Sequence, residues 1–113
     1  MIETIVKAYL ETKTSVPVRF ERSPEMPVSC IVLEKTGGSY EEQLYTATMA
    51  IQSYGATLAE AASLNADVVG WMLAMRDSMT NIFNITLNSD YNFTDSATKR
   101  YRYQAVFVIT YYN

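Results

Sequence analysis

Apolar residues return at Ile2, Ile5, Val6, Tyr9 and Leu10, the i, i+3, i+4, i+7, i+8 spacing of one helical face. Glu3 and Lys7 stand four apart on the other face, in the favourable order for an ion pair. The spacing predicts a short amphipathic helix. Val16, Val18 and Phe20 then alternate with Pro17 and Arg19, which predicts a strand that Pro17 confines to an edge or to a strand start. "ERSPEMP" reads as a loop by its two prolines. Residues 28–34 are apolar at both parities, the mark of a strand covered on both faces, and "KTGGSY" predicts the next turn through Gly37-Gly38.

From Leu44 to Ser53 the odd positions Tyr45, Ala47, Met49 and Ile51 are apolar against Thr46, Thr48 and Gln52, a half-buried strand. The period changes at Thr57. "TLAE" has the capping-box pattern, and Leu58, Ala61, Ala62, Leu64, Val68, Met72 and Met75 follow helical spacing to about Ser78. Asn65 and Asp67 allow a bend, and Gly70 weakens the interior by about 1 kcal/mol relative to alanine. Phe83, Ile85 and Leu87 alternate with polar residues, and Tyr101, Tyr103, Ala105, Phe107, Ile109 and Tyr111 share one parity opposite Arg100, Arg102 and Gln104. These two runs, joined by a polar loop placed at Ser89–Thr98, predict an antiparallel hairpin. The expected fold is α+β: a four- to five-stranded, mainly antiparallel sheet with an N-terminal helix and one longer helix packed on one face. The 113 residues are expected to form a single domain, residues 1–113.

Charge and composition narrow the chemistry. A net charge of -3 argues against a general nucleic-acid binder that neutralises many phosphates. No histidine is present, which removes the commonest general base, the commonest metal ligand and every Ser-His or Cys-His nucleophile. The single cysteine, Cys30, lies in the apolar run "VSCIVL" and reads as a buried small hydrophobe. The N-terminus lacks the pattern of a secretory signal, and no stretch reaches the ~20 apolar residues of a membrane span. The expectation is a protein made in the cytoplasm, with no membrane partner.

The run "SDYNFTDSATKRYRYQAVF" offers three chemistries, and each fails on its own terms. Asn92-Phe93-Thr94 matches a glycosylation tripeptide, but no export signal accompanies it. Asp90, Asn92 and Thr94 have the first three spacings of a calcium loop, yet Asp95 stands where glycine is needed and Tyr101 where glutamate is needed. A polar loop with Asx turns accounts for the segment. The interleaved aromatic and basic residues suit base stacking only if Tyr101 and Tyr103 face outward, whereas their parity is that of the core. No catalytic set, metal ligand set, cofactor motif or specific nucleic-acid surface emerges. The residues point to a non-enzymatic domain that works by presenting surface, with Tyr91 and Phe93 on a polar loop as its recognition element.

"AIQSYGATLAEAASLNADVVGWM" followed by "SDYNFTDSATKRYRYQAVFVITYY" resembles the small tail-completion proteins of long-tailed bacteriophages, the tail terminator or tail-to-head joining group. The likeness is best from Ala50 to Tyr112; the first half matches mainly in length and element order. The resemblance implies an α+β subunit that forms a ring, usually hexameric, on the head-proximal end of the tail tube. Such a ring ends tube polymerisation and docks onto the head connector, at the head-tail junction of the virion. Its implied partners are copies of itself, the tube protein and the connector or stopper protein. Carried onto this chain, the family-like segment implies an inter-subunit or tube contact at Tyr91, Asn92, Phe93 and Asp95, with Arg100 and Arg102 on the same surface. Neck proteins of the stopper and adaptor type share this size and fold, so they are the alternative. From a different class, a small regulatory protein-binding module is a further one.

Overall fold

In the computed structural model, which describes residues 1–112, Ile2, Val6, Tyr9 and Leu10 form the buried face of helix α1, Ile2–Glu11. Lys7 pairs with Glu11 at 2.9 Å rather than with Glu3. The helix stops where the Thr12 hydroxyl donates to the Tyr9 carbonyl at 2.6 Å. Strand β1 is only Val18–Arg19 and lies at the sheet edge, parallel to its neighbour. Phe20, expected within this strand, follows it and is exposed. The loop 20–29 then turns back over the far face of the sheet.

Strand β2, Cys30–Glu41, continues through the glycines expected to form a turn. Neither Gly37 nor Gly38 has a positive φ, and a register shift between Lys35 and Gly37 absorbs the irregularity instead. The reversal is Glu42–Gln43, with φ of 52° and 69°, closing a two-residue hairpin between Glu41 and Leu44. Left-handed backbone at two adjacent non-glycine residues is the geometry of a type I′ turn, for which Asn-Gly is the favoured pair. Glu42→Asn with Gln43→Gly is therefore expected to raise stability by about 1 kcal/mol. Urea melts monitored by circular dichroism check it, and an unchanged midpoint would show that the turn carries no strain.

Strand β3, Leu44–Gly55, leads into helix α2, Leu58–Ser78. Half of the capping box forms as expected, with Thr57 Oγ1 accepting from the Glu60 amide at 3.1 Å, while Glu60 reaches one residue past the cap to accept from the amide of Ala56, also at 3.1 Å. α2 runs unbroken through Asn65 and Gly70. Leu58, expected on the apolar face, is exposed, and the buried face is Ala61, Asn65, Val68, Met72 and Met75. Asn65 faces inward because its Nδ2 donates to Asp90 Oδ1 at 2.7 Å, tying the helix to the last hairpin.

Strands β4, Ile82–Asn92, and β5, Tyr101–Tyr111, complete an α+β fold with sheet order β1-β2-β3-β5-β4. All pairings but that of β1 are antiparallel. Both helices lie on one face, over Ile31, Leu33, Met49, Ile51, Ala105, Phe107 and Ile109. Phe83 was expected to share the inward parity of Ile85. A register shift between Ile82 and Asn84 turns Ile82 inward, leaving Phe83 58% exposed. A second shift, between Leu87 and Ser89, leaves Leu87 partly exposed too.

Among the described residues the opposite face carries no helix. At one end, the loop 20–29 lays Met26 against Cys30, Val32 and Tyr54, which is why β2 begins apolar at both parities. Among the described residues, no helix is long and apolar enough to cross a membrane.

Candidate functional site

Sequence pattern placed the recognition residues on a loop at Ser89–Thr98; β4 instead extends to Asn92, so Tyr91 and Asn92 are strand residues and the loop spans residues 93–100. The six expected contact residues do gather at one end of the β4–β5 hairpin. Tyr91 and Phe93 meet edge to face, with ring centres 5.8 Å apart, and both stay partly exposed. Asn92 Oδ1 accepts from the Thr94 amide at 3.0 Å, and Asp95 Oδ1 accepts from the Ala97 amide at 3.0 Å. These are the Asx turns that the composition of the loop suggests. Arg100 pairs with Asp95 through backbone only, and its side chain is exposed without a partner among the described residues.

Arg102, on the outward parity as expected, is tied down rather than free. Its Nε donates to the Phe93 carbonyl at 2.7 Å and its Nη1 to the Tyr54 hydroxyl at 2.9 Å. The guanidinium also lies 4.4 Å from the Phe93 ring centre and 5.8 Å from that of Tyr54. Phe93 is thus half held against the loop's own base and half offered to solvent.

From Arg102 a chain of hydrogen bonds crosses the far face of the sheet. The Tyr54 hydroxyl donates to Gln52 Oε1 at 3.2 Å, Gln52 Nε2 donates to Gln104 Oε1 at 2.9 Å, and Gln104 Nε2 donates to the Tyr91 hydroxyl. The strand register places Tyr54 opposite Arg102, Gln52 opposite Gln104 and Gln104 opposite Tyr91. Sequence pattern identified neither Gln52 nor Gln104 as part of the site. Their only sequence signal is that both occupy the outward parity of their strands. A chain like this orders side chains on a sheet surface.

Electrostatics reinforces the loop. The Thr98 hydroxyl, then the Ala97 amide, hold the Asp95 carboxyl below its ordinary value of 3.8. A depressed folded-state pKa contributes stability that is complete above the unfolded value and lost as pH falls through the folded one. In a pH titration followed by NMR, the Ala97 and Thr98 amide shifts are expected to follow a protonation whose midpoint lies below 3.8. A midpoint at or above 3.8 would show that the carboxylate is not capping these amides.

Cys30 is fully buried, and burial pushes its thiol up against the opposing pull of Arg22, whose Nη1 lies 3.4 Å from Sγ. That is a packing cysteine rather than a nucleophile. Among the described residues no three His, Cys, Asp or Glu side chains converge on a position that could hold a metal ion. No protein-family model matches this chain, and no curated protein matches it.

Proposed function

We propose that the protein is a structural subunit of a bacteriophage head-tail junction, a ring-forming tail terminator that caps the tail tube, ends its polymerisation and joins the tail to the head. The observation that carries this reading is where the side chains with chemical potential are spent. Tyr91, Asn92, Asp95, Gln104 and Arg102 hold one another and the hairpin backbone, leaving aromatic rings and unpaired charges exposed at the end of a rigid sheet. Such an end is built for protein contact, where aromatics and arginine contribute most. The likeness of residues 50–112 to tail-completion proteins supplies the assembly. On this reading the partners are other copies of the chain, the tube protein and the connector or stopper, and no enzymatic step or cofactor is involved.

Deletion of the gene from its phage, followed by negative-stain electron microscopy of the lysate, tests the function. Overlong or unattached tails beside filled heads are expected. Emptied heads with tails of normal length would assign the protein to the stopper class, and intact infectious particles would remove it from the virion.

The hairpin end has its own test. Tyr91→Ala with Phe93→Ala should weaken ring assembly at least tenfold in sedimentation while leaving the far-ultraviolet dichroism unchanged, because both rings are partly exposed. Rings of undiminished stability, or an unfolded chain, would take this surface out of the contact.

A further inference from the structure

The two ends of the sheet present different exposed side chains, although Glu21 and Glu25 share the loop of Arg22 at the first of them. At the end where β3 gives way to α2, a cleft of about 220 Å³ is lined by Arg22, Lys99 and Arg100 together with Val28, Tyr54 and Tyr101. Arg22 is seated, its guanidinium 4.9 Å from the Tyr54 ring centre and its Nη1 3.4 Å from the Pro27 carbonyl. Lys99 and Arg100 have exposed side chains without a hydrogen-bond or ion-pair partner among the described residues. The nearby Asp95 carboxylate accepts from the amides of its own loop, at Ala97 and Thr98.

At the opposite end the β2–β3 turn projects Glu41 and Glu42, both exposed and likewise unpartnered among the described residues. Beside them lie the exposed rings of Tyr40, Phe83 and Tyr112. Acidic side chains framed by aromatics complement a basic cleft with an apolar rim, and tyrosine faces also attract cations directly. The match cannot be made within one molecule. β3 runs from one end to the other over 12 residues, about 36 Å at ~3.3 Å per residue, in a chain whose longest extent is 44 Å.

Backbone geometry singles out the same two places. Glu42, Gln43 and Lys99 are the non-glycine residues with positive φ among those described, and they sit on the acidic turn and beside the basic cleft.

We propose that copies of this chain associate head to tail, the Glu41-Glu42 turn of one copy docking into the Arg22, Lys99 and Arg100 cleft of the next. A contact between two different surfaces of identical subunits propagates, and it closes into a ring when the rotation per copy divides a full turn. The inference rests on the ring-forming reading above and supplies its contact.

Two variants test it by sedimentation velocity at low salt. Glu41→Lys with Glu42→Lys reverses the turn, and Lys99→Glu with Arg100→Glu reverses the cleft. Each variant alone is expected to associate roughly a hundredfold more weakly than the wild type, since like charges then face each other. An equimolar mixture is expected to reassemble, because every turn again meets a cleft of opposite sign. All four side chains are exposed, so unchanged circular dichroism is expected.

Zero-length carbodiimide coupling of the wild type gives a second readout. It should join Glu41 or Glu42 to Lys99 between two copies, mapped by mass spectrometry of the digested dimer. Variants that assemble alone as well as the wild type, or a mixture that stays monomeric while the wild type assembles, would overturn the contact and leave the ring reading in place. A wild type that remains monomeric and uncoupled at low salt would also overturn the contact. The ring reading would then be decided by the deletion phage.

Discussion

Gly55→Ala is expected to cost about 3 kcal/mol, enough to lower the melting temperature by roughly 10 °C in a domain of this size. A Cβ at Gly55 would lie 2.5 Å from the Ala61 amide nitrogen and 2.9 Å from both the carbonyl carbon and the Cβ of Glu60. These atoms belong to the first turn of α2, which the Thr57 and Glu60 caps hold in place. The substitution also restricts the unfolded chain, a gain of only about 0.4–1 kcal/mol, so the clash wins. Gly70→Ala is the internal control. A Cβ at Gly70 meets nothing within 4 Å, so helix propensity acts alone and stability should rise by about 1 kcal/mol. Thermal melts of both variants check the pair, and a Gly55→Ala protein as stable as the wild type would mean that α2 is not seated on the end of β3 as described.

Arg102→Ala is expected to destabilise the protein by about 2 kcal/mol, an unusual sum for a partly exposed arginine. It removes two hydrogen bonds, to the Phe93 carbonyl and the Tyr54 hydroxyl, and the cation stacked on both rings. Arg102→Lys should recover less than half of the loss, because a single ammonium cannot reach both acceptors while covering the Phe93 ring. Arg100→Ala, one turn of the pleat away with a free side chain, should stay within about 0.5 kcal/mol of the wild type. Amide hydrogen exchange separates the mechanism from general loosening. Protection at Phe93, whose amide donates to the Arg102 carbonyl at 2.9 Å, should fall with Arg102→Ala while protection in β3 persists. Equal loss in both places would make Arg102 an ordinary packing residue.

These results bear on assembly because the contact end of the hairpin is pre-ordered. Arg102 fixes Phe93, and Gln104 fixes Tyr91 through the hydrogen-bond chain from Gln52 and Tyr54. Side chains already held in place lose less freedom on binding, so the same contact area yields tighter association. Further along the same open face, around the half-buried Val106, Val108, Thr46 and Thr48, no comparable network forms among the described residues.

The elements themselves were readable because they rest on local physics. Helical spacing at Ile2–Leu10, the Thr57–Glu60 capping box and the parity of Ala105, Phe107 and Ile109 each involve residues within a few positions of one another. The α+β class and the helices on one face follow from that pattern. Gly37-Gly38 misled, since glycine permits a turn without requiring one, and Glu42-Gln43 reverses the chain with no turn chemistry to announce it. The inward parity of Phe83 failed for a related reason: a one-residue register shift reverses which side chains face the core, and periodicity carries no record of it.

The candidate site divides along the same line. Composition drew attention to Tyr91, Phe93 and the polar loop, and the Asx turns at Asn92 and Asp95 are local enough to be anticipated. The roles of Arg102, Gln52 and Gln104, and the placing of Lys99 and Arg100 at the end opposite Glu41 and Glu42, depend on pairing β3 with β5 across some fifty residues of chain. That register is chosen by how the whole sheet packs beneath two helices, so no short stretch of residues contains it.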